Sequence, residues 1–430
     1  MSERPLKIAF HTLGCKLNFS ETSAIGRRLE ENGYKKVPFE ESADIYFIHG
    51  CTVTGAADKK CRYIIKKTIR RSPGSFIVVA GCYAELRHKE IAGIPGVDLI
   101  LGTNEKYDIL KYLGDINKRS KPEIHNTGMK ELSLFHPSYS TGDRTRAFLK
   151  VQDGCDYSCT YCTIPIARGK SRNQPVSSCV KDARKIAEKG IKEIVLTGVN
   201  IGDFGKSTGE SFYGLLQALV EVNGIERYRI SSIEPNLLTD DIIKMVAGNK
   251  KIMPHFHMPL QSGSDRILGK MRRRYTRDVF ESDVKKIRKI MPLAGIGADV
   301  IVGFPGETEE DFMVTYEFLR SLDLSYLHVF SYSEREDTPA AVMTDRVEKR
   351  TKYLRSKRLQ SLSKIKKKEF NEKCKGMEAD ILWETEEIPG YIAGFTGNYI
   401  RVYKAYDSAL EGKITSHKLG VTDENDNFIV

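Results

Sequence analysis

Three cysteines in one short segment have the spacing needed to hold an inorganic cluster. Cys155, Cys159 and Cys162 occur in GCDYSCTYCTIP as a C-x3-C-x2-C run. Three thiolates in one loop can ligate three irons of a cubane 4Fe-4S cluster and leave the fourth iron free for an outside ligand. A structural zinc site would need a fourth protein ligand nearby, and the segment has neither paired C-x2-C motifs nor a spaced histidine pair. We therefore predict an iron–sulfur site with one open position.

A second set of cysteines recurs at one position of a repeated pattern. Cys15, Cys51 and Cys82 each end a β-rich run at a Gly-Cys dipeptide, in IAFHTLGC, IYFIHGC and FIVVAGC. Parallel strands of one sheet end at the same edge, so these thiols can meet there, and glycine allows a tight turn beside a bulky group. A single cysteine at a strand end is often a small apolar packing residue. Three at the same position favour a second metal site, whereas packing is predicted for the remaining cysteines, Cys61, Cys179 and Cys374.

The elements that must position these cysteines follow an α/β pattern. Residues 1–118 alternate strand-like and helical stretches, which predicts a parallel α/β domain, and the polar stretch 119–140 is interpreted as a linker. Residues 141–373 contain six further strand–helix units, which predict an open, partial (β/α)6 barrel of the TIM type, and end in a basic helix at about 344–375. Short β-type runs over 374–430 predict a small antiparallel β-barrel of about five strands.

The composition describes a globular protein with a polyanionic partner. The 430 residues carry a formal net charge of +11, which fits nucleic acid. No apolar run approaches the roughly 18 residues that cross a membrane, and the start MSERPLKIAF lacks the apolar core of a signal peptide. We therefore expect a cytoplasmic protein with no membrane partner. Because cytoplasmic thiols are kept reduced, the nine cysteines are better explained by metal ligation or redox chemistry than by disulfides.

These motifs together resemble a known family. With the aromatic Tyr161 before its last cysteine, the C-x3-C-x2-C loop resembles the radical S-adenosylmethionine (SAM) signature. The three strand-end cysteines are similar to the auxiliary-cluster domain of the methylthiotransferases, and the C-terminal segment to the TRAM-type β-barrel that contacts RNA in this family. Lys16 and Asn18 after the first Gly-Cys, and IARG at 166–169, are similar to the branch that modifies threonylcarbamoyladenosine in tRNA.

The resemblance implies a reaction with two 4Fe-4S clusters and SAM. The cluster at the second triad would bind SAM through its open iron and split it to a 5′-deoxyadenosyl radical, which would take hydrogen from the adenine C2–H. The cluster at the first triad would present a methylated sulfur to the resulting carbon radical, giving the 2-methylthio derivative of N6-threonylcarbamoyladenosine at position 37 of tRNA. Side chains cannot activate such a C–H bond by ordinary acid–base catalysis, so no catalytic side chain is predicted.

The resemblance also implies further cofactor contacts. Gly198 and Asn200, in LTGVNIG, would lie near the methionine part of SAM, and Glu234, in SSIEP, near the ribose, with Tyr161 in the cluster loop. The alternative is that Gly198 is a turn residue and Glu234 a solvated loop acid. GFPGE at 303–307 lacks the P-loop pattern, which argues against hydrolysis of nucleoside triphosphates. His49 departs from the family pattern, which could alter the hydrogen bonds around the first triad. Asp337 also departs from it, which puts a local turn in question.

Two basic clusters predict contacts with RNA phosphates. An aromatic residue of the small barrel, Tyr391, Phe395 or Tyr399, could also stack on an unpaired base. The alternatives are a solvated helix face for the charges and core packing for the aromatic residues. The predicted phosphate contacts are Arg272, Arg273, Arg274, Lys366, Lys367 and Lys368.

The sequence leaves two other activities open. One is methylthio transfer to isopentenyladenosine in tRNA or to an aspartate of a ribosomal protein, and the other is an iron–sulfur RNA-binding regulator without turnover. The expected partners are the tRNA anticodon stem-loop, an electron donor such as flavodoxin or ferredoxin, and a sulfur donor that the sequence does not identify.

Overall fold

The computed structural model describes residues 4–128, 134–142 and 144–430, apart from the side chains of residues 386 and 387; residues 129–133 of the predicted linker lie outside it. The first part is a sheet of six parallel strands: β1 (Lys7–Thr12), β2 (Lys35–Val37), β3 (Ile45–Gly50), β4 (Phe76–Gly81), β5 (Leu99–Leu101) and β6 (Glu123–His125). Their order is β2-β1-β3-β4-β5-β6. This sheet confirms the predicted parallel α/β fold.

Helices cover both faces of this sheet because its central strands are apolar along their whole length. β3 and β4 are entirely buried. Alternate residues of β3 point to opposite faces, so that Tyr46 and Ile48 belong to one apolar cluster and Ile45 and Phe47 to the other. The helices are α1 (Lys16–Glu31), α2 (Gly55–Arg71), α3 (Cys82–Ala92) and the short α4 (Ile109–Tyr112). The loops that follow the strands are thereby gathered at one edge of the sheet.

The N-terminal sheet extends further along the chain than the sequence indicated. Its edge strand β6 lies within the predicted linker and pairs with β5, with Ile124 opposite Ile100. The predicted end of the domain at residue 118 is therefore too early. A three-residue edge strand with an exposed Ile124 has too little hydrophobic alternation to be recognised in the sequence.

The central part contains all six predicted strands, in two parallel sheets of three. One sheet holds β7 (Ala147–Lys150), β10 (Glu193–Thr197) and β11 (Arg227–Ile230), and the other holds β12 (His255–Gln261), β13 (Gly295–Val302) and β14 (Tyr326–Ser331). A short antiparallel pair, β8 (Gln152–Asp153) and β9 (Arg172–Asn173), follows β7. The two sheets are joined by a hydrogen bond from the Met253 N–H to the Tyr228 carbonyl (2.8 Å). Both sheets contribute residues to one shared apolar core. Closure into a barrel stays a prediction.

The helices of the central part alternate with its strands. They are α5 (Ile164–Arg168), α6 (Val176–Ala187), α7 (Phe212–Val220), α8 (Asp240–Gly248), α9 (Asp265–Lys270), α10 (Arg277–Ile290) and α11 (Glu309–Ser321). α11 begins with a capping box, in which the Thr308 hydroxyl accepts from the Asp311 N–H and the Asp311 carboxylate accepts from the Thr308 N–H. Phe312 and Leu319 of this helix then pack in the shared core. The helical period predicted from the sequence thus buries one face.

The C-terminal part joins a long basic helix to an antiparallel sheet. After α12 (Lys349–Cys374) come β15 (Glu378–Ile388), β16 (Tyr391–Thr396), β17 (Arg401–Ala405), β18 (Ile414–Lys418), β19 (Val421–Thr422) and β20 (Phe428–Ile429). Their order is β18-β15-β16-β17-β20-β19, and β17 and β20 pair in parallel. The antiparallel character is confirmed, but six strands replace the expected five because β19 and β20 are too short to show a pattern. None of the described helices has both the length and the apolarity to span a bilayer.

Candidate active site

The first triad of cysteines forms at the carboxyl edge of the N-terminal sheet. Cys15 precedes α1, Cys51 follows β3, and Cys82 begins α3 directly after β4. Burial and, to a smaller extent, the neighbouring Cys15 and Cys82 thiols together raise the pKa of the Cys51 thiol to about 12. Thiols that raise one another's pKa lose their protons when a cation binds between them. The structure therefore brings together the three cysteines that the sequence singled out.

Two of the glycines before these cysteines are required by their backbone and by close packing. Gly14 has a φ of +103°, and a Cβ at this position would lie 2.5 Å from the Cys51 Cβ. Gly81 has a φ of +94°, and its Cβ would lie 2.3 Å from the His49 Cδ2. Residues with a side chain rarely adopt such a φ. The repeated Gly-Cys dipeptide thus lets the cysteine loops approach one another.

The second triad lies in the loop between β8 and α5. Each sulfur accepts a hydrogen bond: Cys155 from the Tyr157 N–H at 3.4 Å, Cys162 from the Ile164 N–H at 3.5 Å, and Cys159 from an Arg273 Nη1 at 3.0 Å. Burial raises the pKa of the Cys162 thiol to about 12, and Cys159 and Cys155 add to the effect. Donors directed at sulfur stabilise a thiolate or a ligated sulfide.

In neither triad do all three sulfurs lie within 4.8 Å of one another. Four-coordinate zinc holds its sulfur ligands at about 2.3 Å, which places the sulfurs roughly 4 Å from one another. Among the described residues, one group has its possible ligand atoms all within 4.8 Å of one another, and it contains no cysteine. Neither triad has a fourth cysteine in its loop, so each offers three thiol ligands, and ligation of an iron–sulfur cluster stays a prediction.

Arg273 joins the second triad to Glu234. Its guanidinium forms a short ion pair with the Glu234 carboxylate and hydrogen bonds to the Tyr161 hydroxyl at 3.3 Å. The Glu234 side chain is only 15% exposed, which excludes the alternative of a solvated loop acid. Burial raises the pKa of Glu234, and Arg273 counteracts that rise. Arg273 was predicted to contact RNA phosphate. Its side chain is only 4% exposed because it is bonded to Glu234 and to the loop of the second triad, so it is not available to RNA.

The other two predicted cofactor residues lie beside Gln152, which the sequence analysis missed. The Gln152 Oε1 accepts from the N–H groups of Val199 and Asn200, at 2.9 and 2.8 Å. A Cβ on Gly198 would lie 2.5 Å from the Ile201 Cγ2, so a larger residue would displace this turn. The Asn200 side chain donates to Asp203, and its Oδ1 is buried without a protein partner. The cofactor role of Gly198 and Asn200 stays a prediction.

A buried network of charges connects the two triads. The Glu21 carboxylate, on α1, accepts from three cations, Lys106 at 2.8 Å, Lys150 at 3.0 Å and Arg168 at 2.9 Å. A second buried carboxylate, Asp153, pairs with Lys150 at 2.7 Å and with Arg168 at 2.9 Å. Burial alone would raise the pKa of both carboxyl groups, but the cations hold it well below the usual range. The network therefore joins the N-terminal sheet to the central strands.

Arg168 also contacts the first triad's loops through Asn18. Its Nη2 donates to the Asn18 Oδ1 at 2.8 Å, and the Asn18 amide donates to the Leu13 carbonyl at 2.8 Å and to the Gly50 carbonyl at 3.4 Å. Sequence analysis noted Asn18 and Arg168 only for their resemblance to the family. The signal that could have revealed the network is Lys150, a charged residue in an otherwise apolar buried strand.

A cavity of about 260 Å³ lies beside Cys15, between α1 and the central strands. Its walls carry the aromatic side chains Phe19, Phe148, Tyr326 and Tyr399 and the cationic side chains Lys16, Arg144, Arg146 and Arg229. Burial lowers the pKa of Lys16 to about 8, and Arg146 and Arg229 contribute. The cavity thus combines apolar rings with positive charge next to the first triad.

Three potential metal ligands also meet beside this cavity. The His257 Nε2 lies 2.9 Å from the Asp299 Oδ1, and the His328 Nδ1 lies 3.2 Å from both of these atoms. Hydrogen bonds from the two histidines help to hold the pKa of Asp299 below its usual range although burial would raise it. The sequence analysis missed this group because its members come from three different strands.

Of the other basic residues predicted to contact RNA, some are exposed and others are hydrogen-bonded within the protein. Arg272 and Lys368 are exposed, and Arg274 is exposed but donates to the Asp156 carbonyl at 2.9 Å. Lys367 donates to the Asn425 carbonyl and the Asn427 side chain, both at 2.8 Å. Lys366 was predicted to contact phosphate, but it is buried because its Nζ donates to the carbonyls that end α11, Arg320 at 2.7 Å and Leu322 at 2.9 Å.

The three aromatic residues proposed for base stacking differ in exposure. Tyr391 is exposed, whereas Phe395 is buried against Tyr399, with ring centroids 4.7 Å apart. Tyr399 lines the cavity beside Cys15. Cys61, Cys179 and Cys374 are fully buried, as expected for packing residues.

Two protein-family models match separate parts of the chain, and each part contains one of the triads. Residues 7–102 match the model described as "Uncharacterized protein family UPF0004", and residues 149–319 match the radical SAM superfamily. Cys15, Cys51 and Cys82 fall in the first match, and Cys155, Cys159 and Cys162 in the second. Each match therefore carries one complete triad.

Whole-chain comparison finds relatives with named activities. The chain is 41% identical over 96% of its length to the threonylcarbamoyladenosine tRNA methylthiotransferase MtaB of Bacillus subtilis, covering 93% of that protein. It is 40% identical to the Aquifex aeolicus protein of the same name, covering 87% of this chain and 92% of that one. It is 34% identical to a tRNA-2-methylthio-N(6)-dimethylallyladenosine synthase of Fusobacterium nucleatum, with coverages of 96% and 97%.

A solved structure supports the fold. The radical S-adenosylmethionine methyltransferase TsrM from Kitasatospora setae, with tryptophan and a SAM analogue bound, superimposes with a TM-score of 0.58 at 13% identity. The alignment covers 90% of this chain and 79% of that one. At this identity the similarity concerns the arrangement of helices and strands alone.

Proposed function

Because the chain belongs to the radical SAM methylthiotransferases of the MtaB type, we propose that it transfers a methylthio group to C2 of N6-threonylcarbamoyladenosine at position 37 of tRNA, in the cytoplasm. The observation that carries this proposal is the pair of cysteine triads in a chain that aligns with these relatives over nearly its whole length. The anticodon stem-loop is the RNA partner, and a flavodoxin or ferredoxin supplies electrons.

The side chains of this protein hold and orient the reactants. Cys155, Cys159 and Cys162 would hold one 4Fe-4S cluster, and Cys15, Cys51 and Cys82 the other. When bound, these clusters and SAM supply radical generation and the sulfur that is inserted. The buried network around Glu21 fixes the two cysteine loops relative to each other, and the cavity beside Cys15 leaves room for a base. Positioning of this kind is the main contribution of a protein to cofactor chemistry.

The modified nucleosides of cellular tRNA test this proposal. In cells that carry the gene, mass spectrometry should find the 2-methylthio form of threonylcarbamoyladenosine. In cells without it, that form should disappear and the unthiolated nucleoside should accumulate. Loss of the 2-methylthio dimethylallyladenosine instead would identify the other tRNA branch. A protein with both clusters that forms no 5′-deoxyadenosine from SAM and reductant would be a regulator without turnover.

Replacing Arg273 by Met should impair SAM cleavage more than cluster binding. The substitution removes the partner of the buried Glu234 carboxylate and the hydrogen bond to Cys159, so we expect 5′-deoxyadenosine formation to fall by at least about tenfold. Iron content should change little, because all three thiols remain. The control is Arg272→Met, at an exposed neighbour; an equal loss there would contradict a specific role for Arg273.

Two exposed lysines on α12 should contribute to tRNA affinity. Lys364 and Lys368 are one helical turn apart and exposed. Changing both to Gln should weaken binding and reduce the slope of log K against log salt by about 1 to 2, because each phosphate contact releases counterions. The measurement is filter binding across a salt series. Lys285→Gln, at an exposed lysine of α10, is the control, and the same change of slope there would indicate a nonspecific charge effect.

A further inference from the structure

The side chains that line the cavity beside Cys15 carry an excess of positive charge, and the Asp299 carboxylate beside it is engaged with His257 and His328. Among the described residues that line it there are four cationic side chains and no carboxylate. Two of the cations have internal partners: Arg229 donates to Glu193 at 2.8 Å, and Arg146 donates to Glu384 at 2.9 Å. These two pairs leave Lys16 and Arg144 as the cations whose charge is available to a ligand.

Lys16 and Arg144 have no hydrogen-bond acceptor within the described part of the protein. Lys16 is half-buried at the start of α1, directly after Cys15. The Arg144 guanidinium lies over the Phe19 ring, with its Cζ 4.5 Å from the ring centroid, and its hydrogen-bond donors stay free. For the half-buried Lys16 the lack of an acceptor is costly unless an anion binds beside it, whereas Arg144 is exposed, so its donors are open to a ligand.

The other walls of the cavity suit an aromatic base. The aromatic side chains of Phe19, Phe148, Tyr326 and Tyr399 line the cavity. The His255 ring extends this surface, with its centroid 4.5 Å from that of Tyr399. Stacked rings bind any base, whereas cations beside them select a base that carries a negative group.

We propose that Lys16 and Arg144 bind the carboxylate of the threonylcarbamoyl group on the substrate adenine and so distinguish it from an adenine with an apolar substituent. This inference rests on the proposed function. A backbone phosphate is the other anion that tRNA could offer. The cavity adjoins Cys15, and the sulfur must be delivered to the base, so the base and its substituent are the part of the RNA expected to enter.

Binding of matched RNAs tests the inference without depending on turnover. Anaerobically reconstituted protein with both clusters is titrated, by fluorescence anisotropy, with an anticodon stem-loop that contains threonylcarbamoyladenosine. A second stem-loop is identical except that the carboxylate is converted to a neutral methylamide. The wild-type protein should bind the carboxylate RNA about tenfold more tightly, as expected for a hydrogen bond between charged groups.

Variants of the two cations should remove this preference. Lys16→Met and Arg144→Met should each lower the ratio of the two affinities to about two or less. Lys16→Arg should retain part of it, because the charge remains, and it also serves if Lys16→Met folds poorly. Lys285→Met, on α10, should keep the full ratio.

The outcomes separate this inference from the proposed function. Equal weakening of both RNAs by Lys16→Met and Arg144→Met would show phosphate contacts and overturn it, as would a wild-type protein that does not distinguish the RNAs. If methylthio product forms but the variants keep the preference, the inference fails and the function stands. If the preference depends on both cations but no product forms, the carboxylate site stands and the proposed function fails.

Discussion

Replacing Cys155 by Ala should abolish both 5′-deoxyadenosine formation and methylthio transfer, whereas replacing Cys82 by Ala should abolish only methylthio transfer. The reason is that the two triads lie in separate parts of the chain and would hold separate clusters, and the one near Tyr161 and Glu234 would be the one that cleaves SAM. Each affected product should fall by about a thousandfold or more, since a cluster that loses a ligand has no side chain to replace its chemistry.

Iron analysis provides the second measurement on the same variants. The wild-type protein should contain about eight irons per chain, and each variant about four. Cys179→Ala is the matched control, because Cys179 is fully buried in α6 and lies in neither triad; its iron content and activity should be unchanged. A wild-type protein with about four irons, or a Cys82→Ala variant that still transfers the methylthio group, would refute the two-cluster model.

Replacing Glu21 by Gln should destabilise the protein by about 3–5 kcal/mol. The substitution leaves the buried Lys106 without a carboxylate partner and leaves Lys150 and Arg168 to share Asp153 alone, and an uncompensated buried charge carries a penalty of this size. Urea unfolding monitored by circular dichroism measures the change. Glu30→Gln, at an exposed position of the same helix, should change the free energy of unfolding by less than about 0.5 kcal/mol.

The acid side of the stability profile should also change in the Glu21→Gln variant. The folded-state pKa of Glu21 and of Asp153 is lowered. Their stabilisation is therefore fully present above the unfolded carboxyl pKa of about 4 and is lost as the pH falls toward the folded values. Wild-type stability should decline steeply below about pH 4, and the variant should decline less steeply. Parallel profiles, or a destabilisation below about 1 kcal/mol, would show that the network contributes little.

The cysteines of the two triads illustrate what local sequence pattern can predict. Cys15, Cys51 and Cys82 each come just after a strand, and the direction of parallel strands alone places them at one edge. The strand–helix rhythm likewise predicted the six central strands, because hydrophobic periodicity is a property of neighbouring residues. The edge strand β6 escaped detection because three largely exposed residues have no such periodicity.

The amino-acid sequence by itself therefore determined the order of the longer strands and helices, the two cysteine triads and the family. Only the tertiary structure decided the partners of the charged side chains: Arg273 and Lys366, both basic in the sequence, turn inward to Glu234 and to the end of α11 rather than outward to RNA. It also decided that Glu21 meets Arg168, 147 residues away, and that Lys16 and Arg144 line one cavity. A charge looks the same in a sequence whether it is buried or exposed, because its environment is set by contacts between segments that are distant along the chain.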